Sequence, residues 1–108
     1  MSEKTSLQKL EIEFQDALYG LCERILNELD YTPSMLSAMI EKHNARQAAK
    51  LLINAFKPSE GCTRLWTEGK LNLTVEAFVL DDPQWHKLFT PIELEKAKTR
   101  LDELGYYK

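Results

Sequence analysis

The chain has 108 residues, a formal net charge of −3, 44% hydrophobic side chains and 29% charged ones. That suits one domain with one core, is too apolar for disorder, and excludes a protein whose whole surface is a basic field. No segment approaches the ~20 uninterrupted apolar residues needed to cross a bilayer, and two cysteines, Cys22 and Cys62, are too few for a disulfide framework.

The opening MSEKTSLQKLEIE has no apolar run of the signal-peptide kind. The expectation is a cytoplasmic protein with reduced thiols, no membrane association and a single domain over residues 1–108. Charge is uneven along the chain. Residues 31–70 hold three acids against six bases, while the flanking segments are acidic.

The first element is a long helix within residues 1–30. Thr5 and Gln8 have capping-box spacing. Leu7, Leu10, Phe14, Leu18, Leu21, Ile25 and Leu29 then recur every three or four residues, which is a helical stripe. Cys22 lies beside it and is expected to behave as a small buried hydrophobe. A second stripe, Ile12, Tyr19 and Leu26, repeats every seven residues and is rotated by about 120° from the first. It is covered either by another helix of the chain or by a partner, which is a second copy or a different protein. Glu13, Asp16, Glu23 and Asn27 form a polar face expected in water.

Thr32 and Pro33 restart the chain as cap and first helical residue. Met35, Leu36, Met39 and Ile40 make a short second helix. Asn44, with Gln47 three residues on, opens a third. Ala45, Ala48, Ala49, Leu52 and Phe56 give that helix a small-residue face for close helix approach. After the loop Lys57-Pro58-Ser59-Glu60-Gly61, Cys62 to Glu68 predicts a helical turn ending at Gly69.

Leu71, Leu73 and Val75 alternate as a strand would, but no second strand is present to pair with them. The segment 71–80 is therefore expected to be a buried helix capped at Asn72 or nearby. Asp82-Pro83 starts a short helix over Gln84 to Phe89. Thr90-Pro91-Ile92-Glu93 combines a cap, a first-turn proline and a glutamate three residues on. Leu94, Ala97, Leu101 and Leu104 carry the last helix to a left-handed cap at Gly105, and Tyr106 and Tyr107 fold back. The fold class is all-α: a compact bundle of five to six helices, the N-terminal one long and the rest shorter.

Several of these residues occur together in a pattern. Tyr31 and Pro33, Ala48-Ala49-Lys50-Leu51-Leu52, Gly61 with Leu65, Gly69-Lys70-Leu71-Asn72-Leu73-Thr74-Val75-Glu76, Leu88-Phe89-Thr90, Glu93, Ala97, Arg100-Leu101 and Gly105-Tyr106 stand in order. Residues 31–107 thereby resemble a family of small, uncharacterised bacterial all-helical domains. The resemblance implies a compact helical module, alone or at the end of larger bacterial proteins, with no activity attached. The chain departs from that family near Asn44-Ala45, where glycine is usual, and at Cys62, where an aromatic is usual.

No constellation for chemistry emerges. Cys22, Cys62, His43 and His86 lack the spacing of metal ligands, so no metal site is expected. No serine or cysteine stands in a nucleophile motif, and the glycines are too scattered to cradle phosphate. The expectation is a non-enzyme without cofactors. Glu76, an acid in an apolar run, reads as a structural partner of Arg64 or Arg100, with a catalytic base as the other reading. Trp66 and Trp85 belong to the core or its rim, or else to a binding surface. The expected function is protein–protein interaction as an accessory module, through Ile12, Tyr19 and Leu26, with a dimer as one form. The alternative is nucleic-acid binding by the basic 42–70 segment, through Arg46, Lys50, Lys57 and Arg64.

Overall fold

A computed structural model describes residues 6–29 and 31–107. The described residues form six α-helices and two short 3-10 segments, with no strand among them. The chain is all-α. It divides into two compact units, Met1–Ala48 and Ala49–Lys108. The division falls inside a helix, away from residue 30 where the long N-terminal stripe ends.

The first unit is built on α1 (Ser6–Leu29) and α2 (Ser34–His43). Thr5, the expected cap of α1, lies outside the described residues. Phe14, Leu18, Leu21, Cys22 and Ile25 on α1 are buried, as are Leu36 and Ile40 on α2. Each of these leucine, isoleucine and phenylalanine side chains contributes roughly 1.5–3 kcal/mol of hydrophobic stabilisation. Elsewhere in the stripe Leu10 and Leu29 are half-buried and Leu7 stays exposed.

The start of α2 differs from the expected Thr32 cap. Pro33 takes the cap position with φ −79° and ψ 65°, and no side chain caps it. The Ser34 N–H bonds the Thr32 carbonyl at 2.8 Å. This is an inverse γ-turn centred on Pro33, which closes the helix entrance without the threonine hydroxyl. At the other end Asn44 has φ 78° and ψ 166°. Its side-chain oxygen accepts from the Gln47 N–H at 2.9 Å and so opens α3 (Ala45–Asn54).

In the second unit, α3 ends two residues before Phe56. Ala55 to Lys57 bend away, and Phe56 is fully exposed rather than part of the helix. A guanidinium holds this end: Arg100 donates to the carbonyls of Leu52 at 2.9 Å and Ala55 at 2.6 Å. It takes up acceptors that further helical turns would have used.

Ser59 caps α4 (Glu60–Thr67) through the Cys62 N–H. Gly69, with φ 73°, ends it. The Gly69 N–H bonds the Trp66 carbonyl and the Lys70 N–H bonds the Leu65 carbonyl, which together make a Schellman motif.

The segment that alternated like a strand is a 3-10 turn (Leu71–Leu73) followed by α5 (Val75–Asp81). The cap is Thr74, whose hydroxyl accepts from the Ala77 N–H at 3.1 Å. The alternation reflects the tighter turn, which puts Leu73 and Val75 on either side of the cap and buries both. Asp82 caps a second 3-10 segment (Pro83–Leu88). α6 (Pro91–Glu103) has the full capping box of Thr90 and Glu93. Gly105, at φ 90°, closes it through a second Schellman pair, Gly105 to Asp102 and Tyr106 to Leu101. Tyr106 turns back and its hydroxyl donates to Asp81 at 2.5 Å.

Candidate interaction surfaces

Buried polar ties show which acids are structural in the second unit. Glu76, in the first turn of α5, is almost fully buried and accepts from Arg100 at 3.0 Å. Of the two candidate arginines, Arg100 holds it. The same guanidinium binds the end of α3, so one side chain of α6 joins three helices. Glu93 is the second such acid. One oxygen accepts from the Thr90 N–H at 3.0 Å and from Lys50 Nζ at 2.7 Å, and the other accepts from Asn54 Nδ2 at 2.9 Å. Burial alone would raise its carboxyl. The hydrogen bond from Lys50, with those from Thr90 and Asn54, outweighs burial and holds it down at about 2. The tie to α3 was not visible in sequence, where Glu93 shows only its capping role.

The four basic candidates are placed separately. Arg46 pairs with Glu11 of α1. Lys50 pairs with Glu93 and lies 5.7 Å from the centre of the Phe89 ring. Arg64 pairs with Glu68, four residues on, at 3.2 Å. Lys57 is exposed in the bend after α3.

Burial pushes the Cys62 thiol up to about 12, with Glu76 adding to the shift, and burial also raises Cys22. Both thiols stay protonated at neutral pH, which is poor preparation for a nucleophile. His86 lies 3.2 Å from the Leu80 carbonyl at the end of α5, and His43 is exposed in the last turn of α2. No group of three or more His, Cys, Asp or Glu residues that could hold a metal ion occurs among the described residues. None of their helices is long and apolar enough to cross a membrane.

The two tryptophans part company. Trp85 is buried and stacks on Phe78, with ring centroids 6.2 Å apart. Trp66 is 49% exposed, yet its indole N–H donates to the Leu104 carbonyl at 3.1 Å and so holds the end of α6.

Two groups of exposed apolar side chains stand beside a cleft or groove. On α1, Ile12 is 66%, Tyr19 36% and Leu26 44% exposed, while the other stripe of the same helix is buried. No described helix of the first unit covers these three. Beside Ile12 lies a cleft of about 220 Å³, walled by Glu11, Gln15, Asp16, Asn44 and Arg46. Gln15 is fixed there by accepting from the Ala45 N–H at 2.9 Å.

The second group is in the other unit. A groove of about 440 Å³ between the end of α3 and α6 is edged by the exposed Phe56 and Ile92, with Lys96, Thr99 and Glu103 along it. Sequence reasoning missed this groove because it placed Phe56 inside a helix. The only available signal was the Lys57-Pro58 pair, which argues for an early helix end.

Comparison with protein-family models, with characterised proteins and with solved structures finds no match.

Proposed function

We propose that the chain is a non-catalytic protein–protein interaction module, an accessory component of the bacterial cytoplasm, and that it binds through the outer face of α1. The observation carrying this reading is the exposure of Ile12, Tyr19 and Leu26 on a helix that already buries Phe14, Leu18, Leu21 and Ile25 along another face. A helix on a small unit needs one apolar face. Three large apolar side chains in register on another face cost solubility unless a partner takes them up. The acids and thiols that could have supported catalysis have structural surroundings: Glu76 is held by Arg100, Glu93 by Lys50 and Asn54, and both cysteines are buried. The nucleic-acid alternative has less support, since Arg46, Lys50 and Arg64 each face a carboxylate.

The test is a photo-crosslinking amino acid at position 19, expressed in cells, with the same group at Asn27 as control. A discrete product is expected from position 19 alone, and Ile12→Glu with Leu26→Glu should remove it. The double variant should stay folded, because exposed positions usually shift stability by less than about 0.5 kcal/mol each. Unfolding of that variant, or no product at position 19, would overturn the reading.

A further inference from the structure

We propose that the outer face of α1 docks a cationic amphipathic helix of a different protein, with the partner's apolar stripe on Ile12, Tyr19 and Leu26 and its lysines or arginines along Asp16 and Glu23. This rests on the interaction reading above and names the chemistry of the partner.

The spacing selects a helix. Ile12, Tyr19 and Leu26 recur every seven residues, the repeat that keeps one helix in register along another at a shallow crossing angle. The edges of the stripe select the sign of its charge. Asp16 stands four residues after Ile12, and Glu23 four after Tyr19, so both lie on the same side, roughly 50° around the axis. Both are exposed and neither has an ion-pair partner among the described residues. The other edge is neutral, with Gln8 exposed and Gln15 engaged with Ala45. Lys9 is the one cation on the acidic side, at its N-terminal end. A helix with basic residues seven apart matches that edge, and opposite charges along a rim set register and orientation.

The cleft beside Ile12 fits the same partner. Its walls include Asp16, with Ile12 as an apolar wall; Arg46 also lines it, with its charge met by Glu11. A lysine or arginine entering it lays its methylene stem on Ile12 while its charged head reaches the carboxylate.

A second copy of the chain fits poorly. α1 carries five acids against two bases between Ser6 and Leu29, and a copy brings the same excess. An antiparallel pairing that stacks the stripes, Tyr19 on Tyr19, sets Asp16 against the copy's Glu23 twice along one edge, and like charges there oppose association. Nucleic acid is repelled by the same acids.

The experiment uses the full chain and two designed helical peptides of about 21 residues, three heptads long. Both carry leucine in the seam. One carries lysine along the flanks and the other glutamate. Fluorescence anisotropy should show the lysine peptide binding at least ~10-fold more tightly than its twin at low salt, with the gap closing at high ionic strength. Asp16→Lys with Glu23→Lys should reverse the preference. Ile12→Glu with Leu26→Glu should abolish binding, with circular dichroism showing each variant folded. Equal affinity for the two peptides, no binding of the lysine peptide, or a preference untouched by charge reversal overturns the proposal. Equal binding that still needs Ile12 and Leu26 would leave the interaction reading standing and remove only the cationic partner. Binding indifferent to Ile12 and Leu26 would remove both. Sedimentation showing a tight dimer of the chain, lost with Ile12→Glu and Leu26→Glu, would assign the face to a second copy and overturn the proposal.

Discussion

Asn44 does two things with one residue. Its carbonyl and side-chain oxygen both bond α3, to Ala48 N–H and Gln47 N–H, and its own N–H bonds the Ile40 carbonyl of α2. The cost is a backbone at φ 78° and ψ 166°, a region that is nearly glycine-only and costs about 1–3 kcal/mol for other residues. Asn44→Gly removes that strain. It loses a few tenths of a kcal/mol of capping and about 0.4–1 kcal/mol to the freer unfolded chain. The expected net result is a gain of about 1 kcal/mol, read as a higher midpoint in urea. Asn44→Ala keeps the strain and loses the cap, so it should lose about 1 kcal/mol. A glycine variant no more stable than the alanine variant would show that the strain is absent.

Among the elements, the decisive joint is α6 with α5 and α3 in the second unit. The Arg100 guanidinium makes three hydrogen bonds there, one to Glu76 and two to carbonyls. Arg100→Met leaves a buried carboxylate and two helix-end acceptors without their donor. The expected cost is about 3–5 kcal/mol in denaturant unfolding. Glu76→Gln keeps an acceptor for Arg100 and should cost less, about 1–3 kcal/mol. Because the two side chains share a network, the double variant should fall short of the sum by ~1 kcal/mol or more. Strict additivity would mean that the pair does not interact in solution. The helix ends are a separate matter. A Cβ built at Gly105 meets nothing within 4 Å, so Gly105→Ala should cost only the left-handed backbone term, about 1 kcal/mol. A much larger loss would point to a packing role.

For the whole molecule, stability should fall off on both sides of neutral pH, for different groups. The Glu93 carboxyl is lowered from an ordinary 4.5 to about 2. A depressed folded value stabilises fully above 4.5, and the contribution disappears as pH falls toward 2. The Cys62 thiol, raised from 9.0 to about 12, behaves in the opposite sense. Its contribution is complete below 9 and is lost as pH rises toward 12, a window it shares with Tyr106, raised from 10.0 to about 12 by its hydrogen bond to Asp81 and by burial. Urea melts between pH 2 and pH 12 should show the acid limb flattened by Glu93→Gln and the alkaline limb unaffected. An unchanged acid limb would assign acid destabilisation to other carboxylates.

The local structure of this protein was largely legible in its residues. The all-α class, the end of α1 at Leu29, the Thr90–Glu93 capping box and the left-handed closures at Gly69 and Gly105 follow from interactions within five or six residues, which a sequence displays directly. Exact helix entrances were less legible, because Thr32 and Asn72 are as good caps in isolation as the γ-turn at Pro33 and the hydroxyl of Thr74 that replace them. Tertiary structure alone decided the rest. It chose Arg100 over Arg64 as the partner of Glu76, held the end of α3 by bonding its carbonyls, added Lys50 and Asn54 to Glu93, and left Ile12, Tyr19 and Leu26 in water. Each of those outcomes depends on groups far apart in the chain, and periodicity shows which face of a helix is apolar without showing what, if anything, comes to cover it.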